Sequence, residues 1–358
     1  MAETTGPGAA NSETIIRREG RAGRITLNRP KALNALTWNM VRSIQAALDG
    51  WRNVAAVEVV ILDGAGDRGL CAGGDVRWLY DARQRGLADA AGFWREEYIL
   101  NADIARYPKP FVAIQDGIVM GGGIGLSAHA RHRIVTERSQ LAMPETTIGL
   151  IPDVGGTWLL SRAQGRLGVY LGLTGARMDA SDAIQAGFAG NYVPSSAVPG
   201  LIARLCEGGP ETIEEIIEDE SEPVPPSKLA AARPMIDRLF AADTVLAIRE
   251  ALNTTTDELA QKARADLATR SPKALALTLE AVRRAKAYRT LEEALTVEYR
   301  LCNRLYADGE FIEGVRALLV DKDKQPRWSL ARIDDVTPAI VADHFAPRPA
   351  AEEMRWRT

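Results

Sequence analysis

The spacing of apolar and polar positions changes several times along the chain, and each change predicts an element. Thr14 to Glu19 and Arg24 to Asn28 read as two strands joined by the turn Gly20-Arg21-Ala22-Gly23. Asn28-Arg29-Pro30-Lys31 ends the second strand, because proline cannot continue a central ladder. From Thr37, an N-cap candidate, a helix is predicted to about Val54. Its apolar positions Met40, Val41, Ile44, Ala47, Leu48 and Trp51 recur at i, i+3, i+4, as one buried face requires. Val57 to Leu62 is apolar apart from Glu58, the mark of a strand covered on both faces. Phe111 to Ile114 repeats that pattern, and Ile124 to Ala130 follows with helical character.

Further on, Gly156 to Ala163, Leu167 to Leu173 and Ala180 to Ala186 predict short helices, and Ala189 to Val193 a returning strand. Between Glu207 and Lys228 lie Gly208-Gly209-Pro210, an acidic run and Pro223-Val224-Pro225-Pro226, which predict a linker or lid at 206–227. From Lys228 onward the apolar spacing is helical, in sets such as Val245, Ile248, Leu252 and Leu275, Leu279, Val282. This region is expected to pack back on the core and wall a pocket. The expected organisation is a disordered tail at 1–12, a core at 13–205, the linker, and a helical region at 228–358.

Composition narrows the classes. The chain has 358 residues, 46% hydrophobic and 25% charged, as in a globular protein. A net charge of −3 suggests neither a nucleic-acid partner nor an anionic membrane surface. No apolar run approaches a membrane span. Cys71, Cys206 and Cys302 lie far apart without CxxC spacing, which fits a reducing compartment and neither a disulfide framework nor a zinc site. The small, polar residues from Met1 to Ser12 read as a tail and not as a signal or transit peptide. The expected location is the cytoplasm, and the Ala- and Arg-rich usage leans bacterial.

The chemistry is concentrated in two glycine-rich turns. Gly69-Leu70-Cys71-Ala72-Gly73-Gly74-Asp75 follows one buried strand, and Asp116-Gly117 with Gly121 to Gly123 follows the next. A strand, a bare turn and a helix start place backbone N–H groups at the positive end of a helix dipole. Two such turns can aim two amides at one carbonyl oxygen as an oxyanion hole. Glu145 and Asp153 follow, each beside a proline and among apolar residues, so neither reads as part of a solvated face. A buried turn with two capping carboxylates explains either turn alone equally well. Asp75 reads as a helix cap and Cys71 as a small buried side chain. Ser127 and His129 are spaced to different faces of a helix, which argues against a Ser-His pair. His132 begins a charged strand edge and is expected to be exposed, and no spacing suggests a metal site.

Taken together, CAGGD (Cys71 to Asp75), DGIVMGGGIGLS (Asp116 to Ser127), NRPKALNAL (Asn28 to Leu36) and PETTIGLIPDVGGT (Pro144 to Thr157) resemble the crotonase, or enoyl-CoA hydratase/isomerase, superfamily. The resemblance covers roughly Thr14 to Val193. It implies an α/β fold, a crotonase-like spiral of ββα units followed by an α-helical C-terminal region. It also implies an acyl-CoA thioester carbonyl polarised by the amides of Gly74 and Gly122. Hydratases of the superfamily place one glutamate directly after the GGGx turn and a second in the PE motif. Here the first position is Gly125, the second is Glu145, and Asp153 stands where hydratases usually carry glycine.

That departure is similar to the 3-hydroxyisobutyryl-CoA hydrolase branch, thioesterases of valine catabolism. REEYILN (Arg95 to Asn101) and EGVRALLVDKDKQPRW (Glu313 to Trp328) extend the likeness, the latter beyond the common core. The resemblance implies that Glu145 and Asp153 are catalytic and that Glu97 contacts the substrate, although Glu97 beside Glu96 otherwise reads as a solvated helix residue. Glu145 is assigned as nucleophile or general base and Asp153 as its acid or orienting partner, with covalent and water-mediated routes both open. Coenzyme A is expected along Arg29, Lys31, Ala32, Leu33, Ala72 and Gly73, as part of the substrate and with no further cofactor. Superfamily members often trimerise through their C-terminal helices; the longer region here departs from that and leaves a homo-oligomer open. The alternatives are an enoyl-CoA hydratase or isomerase on the same fold, and a catalytically silent acyl-CoA-binding protein.

Overall fold

Val59–Gly64 (β3), which opens on the apolar run Val59 to Leu62, sits inside a six-stranded sheet, where both of its faces are covered. The computed structural model describes residues 12–209 and 212–357. The tail expected at 1–12 therefore lies, Ser12 apart, outside the described residues.

The sheet is ordered β1 (Thr14–Glu19), β2 (Ala22–Leu27), β3, β4 (Phe111–Gln115), β6 (His132–Val135) and β8 (Asn191–Tyr192). Only β1 and β2 pair antiparallel; every later neighbour is parallel. The first hairpin is tighter than expected, because Ala22 and Gly23 already pair with Glu19 and Arg18. Between them, β5 (Ile118–Met120) and β7 (Gln140–Ala142) form a second, parallel ladder. Bridges Leu36–Gly74, Cys71–Val119 and Leu141–Met178 extend that ladder to the neighbouring turns of chain. Each turn of the chain thus contributes once to the large sheet and once to the small one before its helix. This is the expected spiral of ββα units.

The helices of the spiral are α1 (Trp38–Trp51), α2 (Val76–Ala82), α3 (Ala88–Ala105) and α4 (Gly122–Ser127). Thr37 caps α1 by accepting from the Met40 N–H, as expected. The spacing did not predict α3. Buried residues surround that helix, Phe93, Trp94, Glu97, Tyr98, Leu100 and Asn101 among them, so no single apolar stripe betrays it.

Beyond the spiral come α5 (Gly156–Arg162), α6 (Leu167–Thr174), α7 (Ala180–Gln185), α8 (Val198–Glu207) and α9 (Ile213–Glu220). The linker expected at 206–227 contains α9, which packs against the far face of the sheet. Its Ile213, Ile216 and Ile217 join Val59, Ile61, Val112 and Ile134 in one apolar cluster. The acidic residues that suggested a linker form the outer face of this helix. A capping box between Thr212 and Glu215 starts it.

The C-terminal helices are α10 (Lys228–Leu239), α11 (Val245–Leu252), α12 (Glu258–Thr269), α13 (Pro272–Ala285), α14 (Leu291–Ala307), α15 (Glu310–Val315) and α16 (Pro338–Phe345). A π-helical turn, Arg316–Val320, continues α15. Helix α13 packs on α5 and α6, α14 on α3, and α15 on the short turn Glu145–Ile148. Residues of the spiral and of these helices share one continuous apolar core. The C-terminal region is therefore part of the wall around whatever the spiral encloses.

Candidate active site

The two glycine turns meet at one cavity. A Cβ placed on Gly122 would lie 3.2 Å from the Gly74 nitrogen and 2.7 Å from Glu97 Oε1. One on Gly121, whose φ is +46°, would lie 3.0 Å from Glu145 Oε1. Glycine is required here because two backbones and two carboxyls converge where any side chain would sit. Gly122 opens α4, so its N–H has no partner within the helix. Gly74 bridges Leu36 through the flanking peptides, Leu36 N to Gly73 O and Asp75 N to Leu36 O, which leaves its own N–H turned away. Among the described residues no backbone carbonyl accepts from either amide. Two preorganised donors therefore face one space, the arrangement that stabilises an oxyanion.

That space is a cavity of about 260 Å³ lined by Gly73, Gly74, Gly121, Gly122, Glu97, Glu145 and Asp153. Apolar walls come from Phe93, Trp94 and Ile148 in the spiral and from Phe311, Leu318 and Leu319 in the C-terminal region. The structure thus brings together Glu97, Glu145, Asp153 and both glycine turns.

All three acids are buried, with 2% of Glu97, 6% of Glu145 and 5% of Asp153 exposed. Glu97, a substrate contact by resemblance though a solvated residue by its place beside Glu96, is on the inward face of α3. Burial, and then the neighbouring Asp153, hold Glu97 and Glu145 well above the usual carboxylate range. Burial also pushes Asp153 up, to about 6, against a hydrogen bond donated by Tyr98 Oη to Oδ2 at 2.7 Å. Glu97 Oε1 and Glu145 Oε2 have no partner among the described residues. A site of three such acids keeps at least one proton near neutrality, and that proton is available for transfer.

The backbone beside Asp153 is unusual. Val154 has φ of +53°, an outlying conformation for a β-branched residue, and Gly155 follows at +81°. Two side chains hold this turn. His129 Nε2 lies 2.8 Å from Val154 O. Glu298, on α14, accepts from Gly155 N at 2.7 Å and from Thr157 N at 2.9 Å. Burial pushes Glu298 up to about 8, against the hydrogen bonds of Thr157 and Gly155. Burial lowers His129 to about 4, so its imidazole is neutral. Tyr98, His129 and Glu298 were not recognised as parts of the site from the sequence. A signal for Glu298 was present, since Leu295, Leu301 and Cys302 at i−3, i+3 and i+4 mark its face of α14 as buried.

Gly125 is more than a missing acid. A Cβ there would lie 2.7 Å from Val154 Cβ and 2.9 Å from Asn101 Nδ2. The room in which a glutamate would stand is filled.

Other sequence candidates separate from the site. Ser127 Oγ donates to Gly123 O at 2.6 Å and accepts from Gln115, far from any pairing with His129. Cys71 is fully buried and held by burial at about 12, a thiol and not a nucleophile. Asp75 caps α2 by accepting from Trp78 N at 3.1 Å. His132, expected to be exposed, has 11% of its side chain exposed because α9 covers it. Arg29, expected to meet a phosphate, pairs with Glu13 at 3.3 Å and Asp75 at 3.1 Å and donates to Ala35 O. Lys31 and Ala32 are exposed. Leu33 O accepts from Ala72 N at 3.0 Å, which places this loop beside the cavity rim.

Comparison with known proteins bears on this geometry. A family model described as Enoyl-CoA hydratase/isomerase matches residues 22–345. The chain is 41% identical over 345 residues to a protein of Danio rerio named 3-hydroxyisobutyryl-CoA hydrolase, mitochondrial, covering 94% of this chain and 90% of the relative. The Homo sapiens protein of the same name is 39% identical, covering 94% and 89%. Among solved structures, one titled carnitinyl-CoA dehydratase from Mycobacterium thermoresistibile superposes with a TM-score of 0.92 at 44% identity, covering 97% of this chain and 99% of that one. One titled enoyl-CoA hydratase from Rhodobacter sphaeroides gives 0.91 at 46%, covering 96% and 100%.

Proposed function

The chain belongs to the enoyl-CoA hydratase/isomerase family, and from that premise we propose that it hydrolyses a short 3-hydroxyacyl-CoA thioester, with 3-hydroxyisobutyryl-CoA as the foremost substrate, to the free 3-hydroxy acid and coenzyme A. The single observation that carries the reading is the pairing of Glu145 and Asp153 in one buried cavity while Gly125 is walled off by Asn101 and Val154. Relatives about 40% identical over nearly the whole chain, named as hydrolases of that thioester, support the choice of substrate.

The residues divide the work as follows. The thioester oxygen takes the Gly74 and Gly122 amides, which favour negative charge as the carbonyl carbon becomes tetrahedral. Glu145, once its proton has passed to Asp153, supplies the nucleophilic carboxylate, or takes the proton of an attacking water. The C–S bond breaks, and Asp153 gives the departing thiolate its proton or orients the water that completes hydrolysis. Glu97, unpartnered at Oε1 and beside Gly122, is placed to meet the acyl hydroxyl. Ala72, Gly73 and the rim loop with Lys31, Ala32 and Leu33 face the CoA moiety. No further cofactor enters this scheme. Among the described residues no helix is long and apolar enough to cross a membrane. The animal relatives are mitochondrial by name.

The second reading is hydration of an enoyl-CoA, favoured by the titles of the two structural neighbours. Release of free thiol from 3-hydroxyisobutyryl-CoA, measured beside hydration of crotonyl-CoA in one preparation, separates the two. Thiol release without hydration is the expected result, and hydration without thiol release overturns the proposal.

A further inference from the structure

We propose that Tyr98 is a positioning residue for Asp153: its hydroxyl aims the Asp153 carboxyl into the cavity and makes Asp153 the acid of the trio that ionises most readily. The inference deepens the hydrolase reading and rests on it.

The geometry is asymmetric. Tyr98 Oη donates to Asp153 Oδ2 at 2.7 Å, whereas Glu97 Oε1 and Glu145 Oε2 accept from no group among the described residues. A hydrogen bond to a carboxylate is charge-assisted and favours the ionised form, and a buried carboxyl without one favours its proton. Tyr98 is itself fixed. It is fully buried, its ring meets Tyr299 edge-on with centroids 6.3 Å apart, and its oxygen lies 3.4 Å from Cys302 Sγ. Tyr98 engages Oδ2, which favours Oδ1 as the oxygen that carries and exchanges a proton.

Every neighbouring element presents a group to be considered. Helix α3 presents Glu97 and Tyr98, the turn Glu145–Ile148 presents Glu145, and α14 presents Glu298 and Cys302. Burial raises Asp153, Asp153 in turn raises Glu97, Glu145 and Glu298, and any charge on Glu298 is met by the Gly155 and Thr157 amides. Cys302 remains a thiol and is a weaker second donor. His129 is neutral and turned to Val154 O. Tyr98 is the strong donor in this set.

The test is Tyr98→Phe, which keeps the ring and removes the hydroxyl. Infrared difference spectroscopy of the carboxyl C=O band, identified by its loss in Asp153→Asn, follows the titration of Asp153 without substrate. It should move up by roughly one pH unit, and the coincident limb of the kcat/KM profile should move with it. At neutral pH kcat should change by about tenfold while KM holds within about twofold, since the substrate contacts are untouched. If Tyr98→Phe does not fold, 3-fluorotyrosine at 98, a stronger donor of the same shape, should move both titrations down. An unmoved carboxyl band overturns the proposal whether or not the enzyme turns over. A moved band in a protein that releases no thiol from any short 3-hydroxyacyl-CoA retains Tyr98's control of Asp153 and overturns only the hydrolase reading.

Discussion

Glu298 accepts from the backbone N–H of Gly155 at 2.7 Å across 143 residues of sequence, and so a helix of the C-terminal region holds the turn that follows Asp153. The same carboxyl takes the Thr157 N–H, which satisfies two of the open donors at the start of α5. Glu298→Ala leaves both amides buried and unpaired. The expected cost is roughly 2–4 kcal/mol, on the basis of about 1–3 for each buried group left without a partner. Urea denaturation measures it, and thiol release should fall as well because Asp153 loses its support. A loss below about 0.5 kcal/mol would show that water replaces the carboxyl without penalty.

Restoring the hydratase acid should fail. In Gly125→Glu the new side chain meets Val154 Cβ and the Asn101 amide inside 3 Å. Overpacking of this kind typically costs about 1–3 kcal/mol, and a buried unpaired carboxyl adds to it. The expected variant is less stable and gains no crotonyl-CoA hydration. Hydration in a well-folded Gly125→Glu would mean that the site is a hydratase site lacking only its acid.

The parts of this fold that were legible in sequence are those written in contiguous stretches. Both glycine turns, Glu145, Asp153, the α1 cap and the β3 run stand next to the residues that explain them. What was missed reaches its place through tertiary packing. Helix α3 is buried on too many sides to show a stripe, and so Tyr98 and Asn101 passed as ordinary parts of a motif. Helix α9 hides three isoleucines among acids, and without it the sheet's far face and His132 appeared open. Glu298 lies in a helix that begins with Glu292 and Glu293 and resembles them until its apolar neighbours are counted. Arg29 was assigned by charge alone, and its pairing with Glu13 and Asp75 needs the strand and the loop to be adjacent.

Removal of the PE carboxyl should separate binding from turnover. Glu145→Gln keeps the size of the side chain and its place against Gly121, so the cavity retains its shape. Loss of a positioned base or nucleophile typically costs on the order of 10²–10⁴ in rate. Thiol release should fall by that factor while calorimetry still detects binding of the CoA ester. An unfolded variant that binds nothing would instead make Glu145 a structural residue.

The buried groups also predict where the protein is most stable. His129 is lowered from 6.5 to about 4, so between these values the unfolded chain binds a proton that the folded chain refuses. Stability therefore falls as the pH drops through that window, by up to about 3 kcal/mol from this group. Glu298 acts in the opposite direction. Raised from 4.5 to about 8, it keeps a proton that the unfolded chain releases, and stability is lost as the pH rises through that window. Glu97 and Glu145, raised for the same reason, add to the alkaline loss. Between about 4.5 and 6.5 the two slopes oppose each other, which places the optimum in mild acid rather than above neutrality. Urea denaturation from pH 4.5 to 8.5 should show it, with Glu298→Gln flattening the alkaline side and His129→Gln the acid side. A wild-type protein more stable at pH 8 than at pH 6 would mean that these acids are ionised in the folded state, and that water or a counter-ion reaches them there.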